Sequence, residues 1–187
     1  MIRCYITDRH TIRGRDLLGT VAWNLAAGVD WIQIRMKECS ARELYDLTRA
    51  ALAQPNPHGS KIIVNSNLDI ALAAGAAGLH LPADSPPSRQ WRSLTPPGFL
   101  IGVSCHSVAE VQAAESEGAD YVVFGPVFKP KSHYSPQPPR GVEELARAAA
   151  AVKIPVLALG GITEENAAAC ISAGAAGIAG VSMFQSC

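Results

Sequence analysis

Leu157-Ala158-Leu159-Gly160-Gly161-Ile162-Thr163-Glu164 decides how the whole chain is read. A short apolar run suits a buried strand, and paired glycines suit a turn that brings backbone close to a neighbour. Thr163 ahead of Glu164 and Glu165 is a cap residue followed by acids in a first helical turn, where the helix dipole favours them. A strand passing through a tight turn into a helix is the front half of a β–α–β unit. The same unit recurs on the N-terminal side. Strands are expected at Cys4–Thr7, Trp31–Arg35, Lys61–Val64, Gly78–Leu81, Leu100–Ser104, Tyr121–Phe124, Val156–Leu159 and Ile178–Val181, eight in all. Ser40-Ala41-Arg42-Glu43 and Ser107-Val108-Ala109-Glu110 read as capping boxes that start two of the intervening helices.

A weak internal repeat supports the count. Gly28, Gly75, Gly118 and Gly174 each precede an apolar strand, at gaps of 47, 43 and 56 residues. Each stands where a helix should end, at the position that favours the left-handed conformation. Strands alternating with helices imply a parallel sheet, and eight such units imply a (β/α)8 TIM barrel built as a single domain over residues 1–187. An open doubly wound sheet is the runner-up. At 187 residues the chain is short for a barrel, for which ~200 is the usual lower end. After the eighth strand only Ser182 to Cys187 remain, so the last helix should be short or missing. A second subunit, and hence a homo-oligomer, would cover the flank this leaves.

Composition excludes several classes. Sixteen Lys+Arg balance sixteen Asp+Glu, so there is no basic footprint for nucleic acid or an anionic membrane surface. No apolar run approaches the ~20 residues of a membrane helix, and the first residues lack the apolar core of a signal peptide. Five scattered cysteines (Cys4, Cys39, Cys105, Cys170, Cys187) form no C-x-x-C pair and suit a reduced, cytoplasmic protein.

In a barrel the chemistry gathers at the C-terminal ends of the strands. Those ends here carry Asp8, Arg35 with Lys37, Asn65, His80 with Asp84, Ser104 with His106, Gly125, Gly160-Gly161 and Ser182. Gln33, Arg35 and Lys37 share one strand parity and Ile32 and Ile34 the other. An amide, a guanidinium and an ammonium at one mouth make an anion site; salt bridges to Asp8 and Glu38 would be the purely structural alternative. Gly160, Gly161 and Ser182 sit after strands seven and eight, where barrels commonly hold phosphate. Ser104 and His106 suit a donor and a base, or His106 caps the next helix. His80 is a packed barrel histidine or a catalytic one. Cys105 reads as packing. The long stretch from Gly125 to Gly141 carries Lys129, Lys131, Ser132 and His133 and is expected to act as a lid over an anionic ligand, with a flexible Pro-rich connector as the alternative.

With these residues in place, the chain resembles the thiamine phosphate synthase and TenI-type thiazole tautomerase family. The anchors run from Tyr5-Ile6-Thr7-Asp8 through Ile32-Gln33-Ile34-Arg35-Met36-Lys37, Val64-Asn65, Gly78-Leu79-His80-Leu81, Gly102-Val103-Ser104 with His106, and Phe124-Gly125-Pro126-Val127-Phe128 to Gly160-Gly161-Ile162 and Val181-Ser182. The resemblance implies that Gln33, Arg35, Lys37 and Asn65 hold an aminopyrimidine diphosphate and that Gly161 and Ser182 bind a thiazole phosphate. It also implies Mg2+ for the synthase, which draws charge off the leaving pyrophosphate.

The sequence departs from the synthase pattern at that metal. Ser66 follows Asn65 where the family has Asp, and Ser85 replaces a second Asp, leaving Asp84 nearby. Pro130, Ser132 and His133 stand where the strand-six loop should carry threonines and a lysine. These losses favour the tautomerase branch, which binds a carboxythiazole phosphate and moves a proton without cofactor or metal. Some tautomerases carry His where this chain has Pro126, so His133 or His106 would move the proton. The expectation is therefore a cytoplasmic thiazole tautomerase whose partner is a small-molecule thiazole phosphate. The alternatives are a Mg2+-dependent synthase using Asp84, or a silent module that holds a thiamine precursor.

Overall fold

The computed structural model describes residues 1–12, 16–130 and 137–185. In chain order the elements are β1 (Ile2–Ile6), α1 (Leu17–Ala26), β2 (Trp31–Ile34), α2 (Ala41–Leu52), β3 (Lys61–Asn65), α3 (Leu68–Ala74), β4 (Gly78–Leu81), α4 (Ser88–Arg92), β5 (Leu100–Cys105), α5 (Val108–Ser116), β6 (Tyr121–Phe124), α6 (Gly141–Ala150), β7 (Val156–Ala158), α7 (Glu164–Ser172) and β8 (Gly177–Gly180). Every adjacent pair is parallel, and β8 returns to β1 through Ile2 opposite Gly177 and Tyr5 opposite Gly180. That last ladder closes the barrel and excludes the open sheet.

Alternation along the strands sorts the core into layers. Ile32, Ile34, Ile62, Val64, Leu79 and Leu81 face outward, all buried under the helices. Each such side chain contributes roughly 1.5–3 kcal/mol by leaving water. The opposite parity, among it Cys4, Ile6, Ile63, Tyr121, Val123, Leu157 and Ala179, fills the barrel interior. Buried Cys105 packs with Val111, Val122 and Phe124 outside the barrel, as a packing residue should.

Local signals place the elements. Ser40 accepts from the Glu43 amide at 3.2 Å while the Glu43 carboxylate accepts from the Ser40 amide at 2.8 Å, so the expected capping box starts α2. Leu44, Thr48 and Ala51 then form its buried stripe. At α5 the box is incomplete: Ser107 accepts from the Glu110 amide at 3.2 Å, but the Glu110 carboxylate takes the amide of His106 instead, at 2.7 Å. All four repeat glycines adopt positive φ, from +70° to +95°, where helix gives way to strand.

Several strand ends differ from expectation: by one residue at β2, β3, β5 and β7, and also at both ends of β1 and β8. β1 begins at Ile2 because Ile2 and Arg3 pair with Gly177 and Ile178, and β8 stops at Gly180 because Val181 turns into a short 3-10 turn, Ser182–Phe184. That turn stands where an eighth helix was missing from the sequence. Phe184 is buried with its ring 6.0 Å from that of Tyr5, and its carbonyl accepts from Asn24 on α1 at 2.9 Å. No described helix is long and apolar enough to cross a membrane.

Candidate active site

A cavity of about 1050 Å3 opens at the C-terminal ends of the strands. Gln33, Arg35, Lys37, Asn65, Asp84, Ser104, His106, Gly160, Gly161 and Ser182 all line it. The structure thus brings every described residue of the expected site into one chamber. Lys131, Ser132 and His133, the middle of the expected lid, lie outside the described residues, which leaves His106 as the described candidate for the proton transfer.

The β2 end supplies the cations. Arg35 is half-buried, and its guanidinium makes no hydrogen bond or salt bridge among the described residues. Burial lowers its pKa, a penalty that the charge of Asp8 partly offsets. Lys37 is exposed at the rim and has no ion pair or hydrogen bond from its side chain among the described residues. The structural alternative of salt bridges to Asp8 and Glu38 does not hold. Glu38 pairs with His10 at 3.4 Å, and the Asp8 carboxylate accepts the His10 amide at 3.0 Å. Thr7 on the neighbouring chain segment fixes the backbone here: its hydroxyl accepts from the Arg35 amide at 2.9 Å and donates to the Arg35 carbonyl at 3.3 Å. Thr7 is a site residue that sequence reading missed, because its partner lies 28 residues away across a barrel ladder.

Beside the cations stands a chain of amides. Ser66 donates to Asn65 at 2.9 Å, and Asn65 donates to the carbonyl oxygen of Gln33 at 2.8 Å. The buried Nε2 of Gln33 has no partner among the described residues, and Gln33 lines the cavity. A buried amide donor without an acceptor is disfavoured, so this one awaits a ligand acceptor.

Of the two readings of Ser104 and His106, the donor–base couple is corrected: the two side chains take different partners. Ser104 lies 2.9 Å from Nε2 of His80, while Nδ1 of His106 lies 2.5 Å from the Gly125 carbonyl. Ser104 points inward from β5, whereas His106 follows the end of the strand and turns toward β6. A carbonyl only accepts, so His106 carries its proton on Nδ1 and keeps Nε2 as an acceptor. His80 is the packed barrel histidine: burial, with the Arg35 charge second, pushes its pKa down to about 3.

Gly160 and Gly161 adopt φ of +97° and +62°. A Cβ on Gly160 would meet Pro126 at 2.5 Å, and one on Gly161 would meet the Lys129 carbonyl at 2.7 Å. Phe128 donates its amide to the Gly160 carbonyl at 2.9 Å. The two glycines therefore clamp the segment after β6 against the β7 end, and the amide of Gly161 meets no acceptor among the described residues. A clamped turn with a free amide ahead of nine-residue α7 is suited to a phosphate.

Two carboxylates, Asp8 after β1 and Asp84 after β4, line the cavity from separate sectors. Among the described residues no three His, Cys, Asp or Glu side chains gather to hold a metal. Asp84 is exposed and unpaired there, so it would supply one carboxylate to a Mg2+ shared with a bound ligand. The residues fit that shared ion and not a cage made by protein alone. The buried thiols of Cys4 and Cys105, pushed up to about 12 by burial, offer no nucleophile.

Comparison with known proteins agrees with this geometry. The TMP-TENI family model, described as thiamine monophosphate synthase, matches residues 3–184. A putative thiamine-phosphate synthase of Geobacter sulfurreducens is 45% identical over 177 residues, 95% of this chain and 83% of that protein. The thiamine-phosphate synthase of Chlorobium luteolum is 44% identical over 181 residues, 97% of this chain and 84% of that one. The solved thiamine phosphate pyrophosphorylase of Pyrococcus furiosus superposes with a TM-score of 0.86 at 31% identity, covering 99% of this chain and 88% of the other. The names of these relatives are those of the synthase and give no specific support to the tautomerase that the sequence favoured. The chain belongs to the thiamine monophosphate synthase family.

Proposed function

We propose that this chain is a thiamine-phosphate synthase, which joins an aminopyrimidine diphosphate to a thiazole phosphate and releases pyrophosphate. One observation carries the reading: a single cavity of about 1050 Å3 is lined by two separate sets of residues suited to anions. Arg35 and Lys37 stand at the β2 end, and Gly161 with Ser182 at the β7 and β8 ends, with β1 between the two sets. That volume is at the top of the range usual for one small ligand. The names of the relatives support the same reading.

In this reading Arg35 and Lys37 hold the diphosphate and take up the charge that develops on the leaving pyrophosphate. Gln33, fixed by Asn65, donates its free Nε2 hydrogen to the aminopyrimidine end. The Gly161 amide and Ser182 hold the thiazole phosphate against the second substrate. Asp84 would hold a bound Mg2+, which would supply further neutralisation of the leaving group. Supplying both precursors with Mg2+ should yield thiamine phosphate and an equal amount of pyrophosphate. Binding of both without any pyrophosphate release overturns the reading.

A second reading, the tautomerase, is favoured by one feature. The Nδ1 of His106 is committed to Gly125, leaving Nε2 as a base on the cavity wall. It predicts faster aromatisation of the carboxythiazole phosphate tautomer by the protein without Mg2+, lost in His106→Gln; no acceleration over buffer removes it.

A further inference from the structure

Beneath the cavity, the inward faces of β4, β5 and β6 carry three polar side chains in sequence. The Tyr121 hydroxyl lies 3.1 Å from Nδ1 of His80, and Nε2 of His80 lies 2.9 Å from the Ser104 hydroxyl. Ser104 and His80 line the cavity and Tyr121 does not. The phenol is held in place from both sides. Its ring packs 4.6 Å from that of Trp31, and it crosses Gly102, where a Cβ would stand 2.0 Å from the ring.

The protons of this chain are placed by elimination. The buried Tyr121 hydroxyl has one partner among the described residues, Nδ1 of His80. A buried hydroxyl without an acceptor is strongly disfavoured, so the phenol donates to Nδ1. A neutral imidazole carries one proton, which must then sit on Nε2 and be donated to the Ser104 oxygen. Burial and the charge of Arg35 keep the ring neutral. The reverse order, with Ser104 donating to His80, would leave the phenol hydrogen with nowhere to go. Ser104, its oxygen occupied and with no other partner among the described residues, has its own hydrogen left for the cavity.

We propose that Tyr121 and His80 form a fixed relay that holds Ser104 as a hydrogen-bond donor to the bound ligand, making Tyr121 a positioning residue for a group it never touches. Ser104 then selects an acceptor atom, such as a phosphate oxygen or an unprotonated ring nitrogen, and rejects a donor in that place. Which ligand supplies the atom rests on the synthase reading; the order of the protons does not.

The test has two arms. Long-range 1H–15N correlation spectra of the ligand-free protein, with the His80 signals assigned by His80→Gln, should show a neutral ring protonated on Nε2 from pH 5 to 9. A proton on Nδ1, or a titration within that range, overturns the proposal without need of any variant. The second arm is a double-mutant cycle on thiamine phosphate affinity by calorimetry. Ser104→Ala should weaken binding roughly 10-fold and Tyr121→Phe roughly 3- to 10-fold. The double variant should be no weaker than Ser104→Ala, because the relay has only one outlet. Additive losses would mean that Tyr121 merely supports the fold, and would overturn the relay. Should the spectra and the cycle hold while no pyrophosphate forms from the two precursors, the synthase reading falls and the relay stands.

Discussion

Replacing Gly161 by alanine separates a glycine needed by the site from one needed only by the chain. At φ +62° an L-residue is strained by about 1–2 kcal/mol. A Cβ there would also stand 2.7 Å from the Lys129 carbonyl and 2.8 Å from the Phe128 Cβ. Both contacts fall on the segment after β6, so that segment must move. Overpacking of this kind costs about 1–3 kcal/mol. The sum is a loss of roughly 2–5 kcal/mol. Gly75 provides the control. Its φ is +80°, but a Cβ would meet nothing within 4 Å, so alanine there should lose only the strain of about 1–2 kcal/mol. Urea unfolding of both variants measures the difference, and calorimetry with thiazole phosphate measures the site. Gly161→Ala should be the less stable and should bind thiazole phosphate at least 10-fold more weakly, while Gly75→Ala binds as the parent does. Equal stabilities, or unchanged binding in Gly161→Ala, would refute the assignment of the β7 turn to both jobs.

Arg35→Lys keeps the charge but loses the two-pronged grip, so pyrophosphate affinity should fall roughly 10-fold, and Arg35→Ala should fall further; calorimetry reads both, and an unaffected Lys variant would show a point charge suffices. His80 also makes stability depend on pH. Its folded pKa, about 3, lies below the unfolded 6.5, so the unfolded state binds the extra proton between those values. Stability is therefore full above about pH 6.5 and declines as pH falls toward 3, with a slope approaching about 1.4 kcal/mol per pH unit from this group. Urea titrations at several pH values should show the slope shrink in His80→Gln, and an unchanged slope would place the titration elsewhere. Asp84→Asn should raise the Mg2+ concentration for half-maximal pyrophosphate release roughly tenfold; an unchanged Mg2+ dependence would remove Asp84 from the metal.

The barrel was legible because its signals are local. Gly28, Gly75, Gly118 and Gly174 announce helix ends through backbone freedom alone, and the alternation of Gln33, Arg35 and Lys37 against Ile32 and Ile34 announces which way a strand faces. The membership of the cavity followed, since strand ends point to one mouth in this fold. What stayed hidden is pairing across ladders. Ser104 was matched with His106 two residues away, yet its partner is His80, brought alongside when His80 registers with Gly102. Thr7 looked like an ordinary strand residue until β1 met β2 and set it against Arg35. The closeness of Gly160 to Pro126 likewise depends on β6 lying beside β7. Such contacts arise from register, and register is a property of the closed sheet rather than of any one segment.

A crystal structure of the protein soaked with thiazole phosphate, pyrophosphate and Mg2+ tests the two-substrate cavity most directly. Pyrophosphate should lie against Arg35 and Lys37, and the thiazole phosphate against the Gly161 amide and Ser182, both in the same chamber. Both anions competing for one set of residues, or either one settling away from the strand ends, would contradict it.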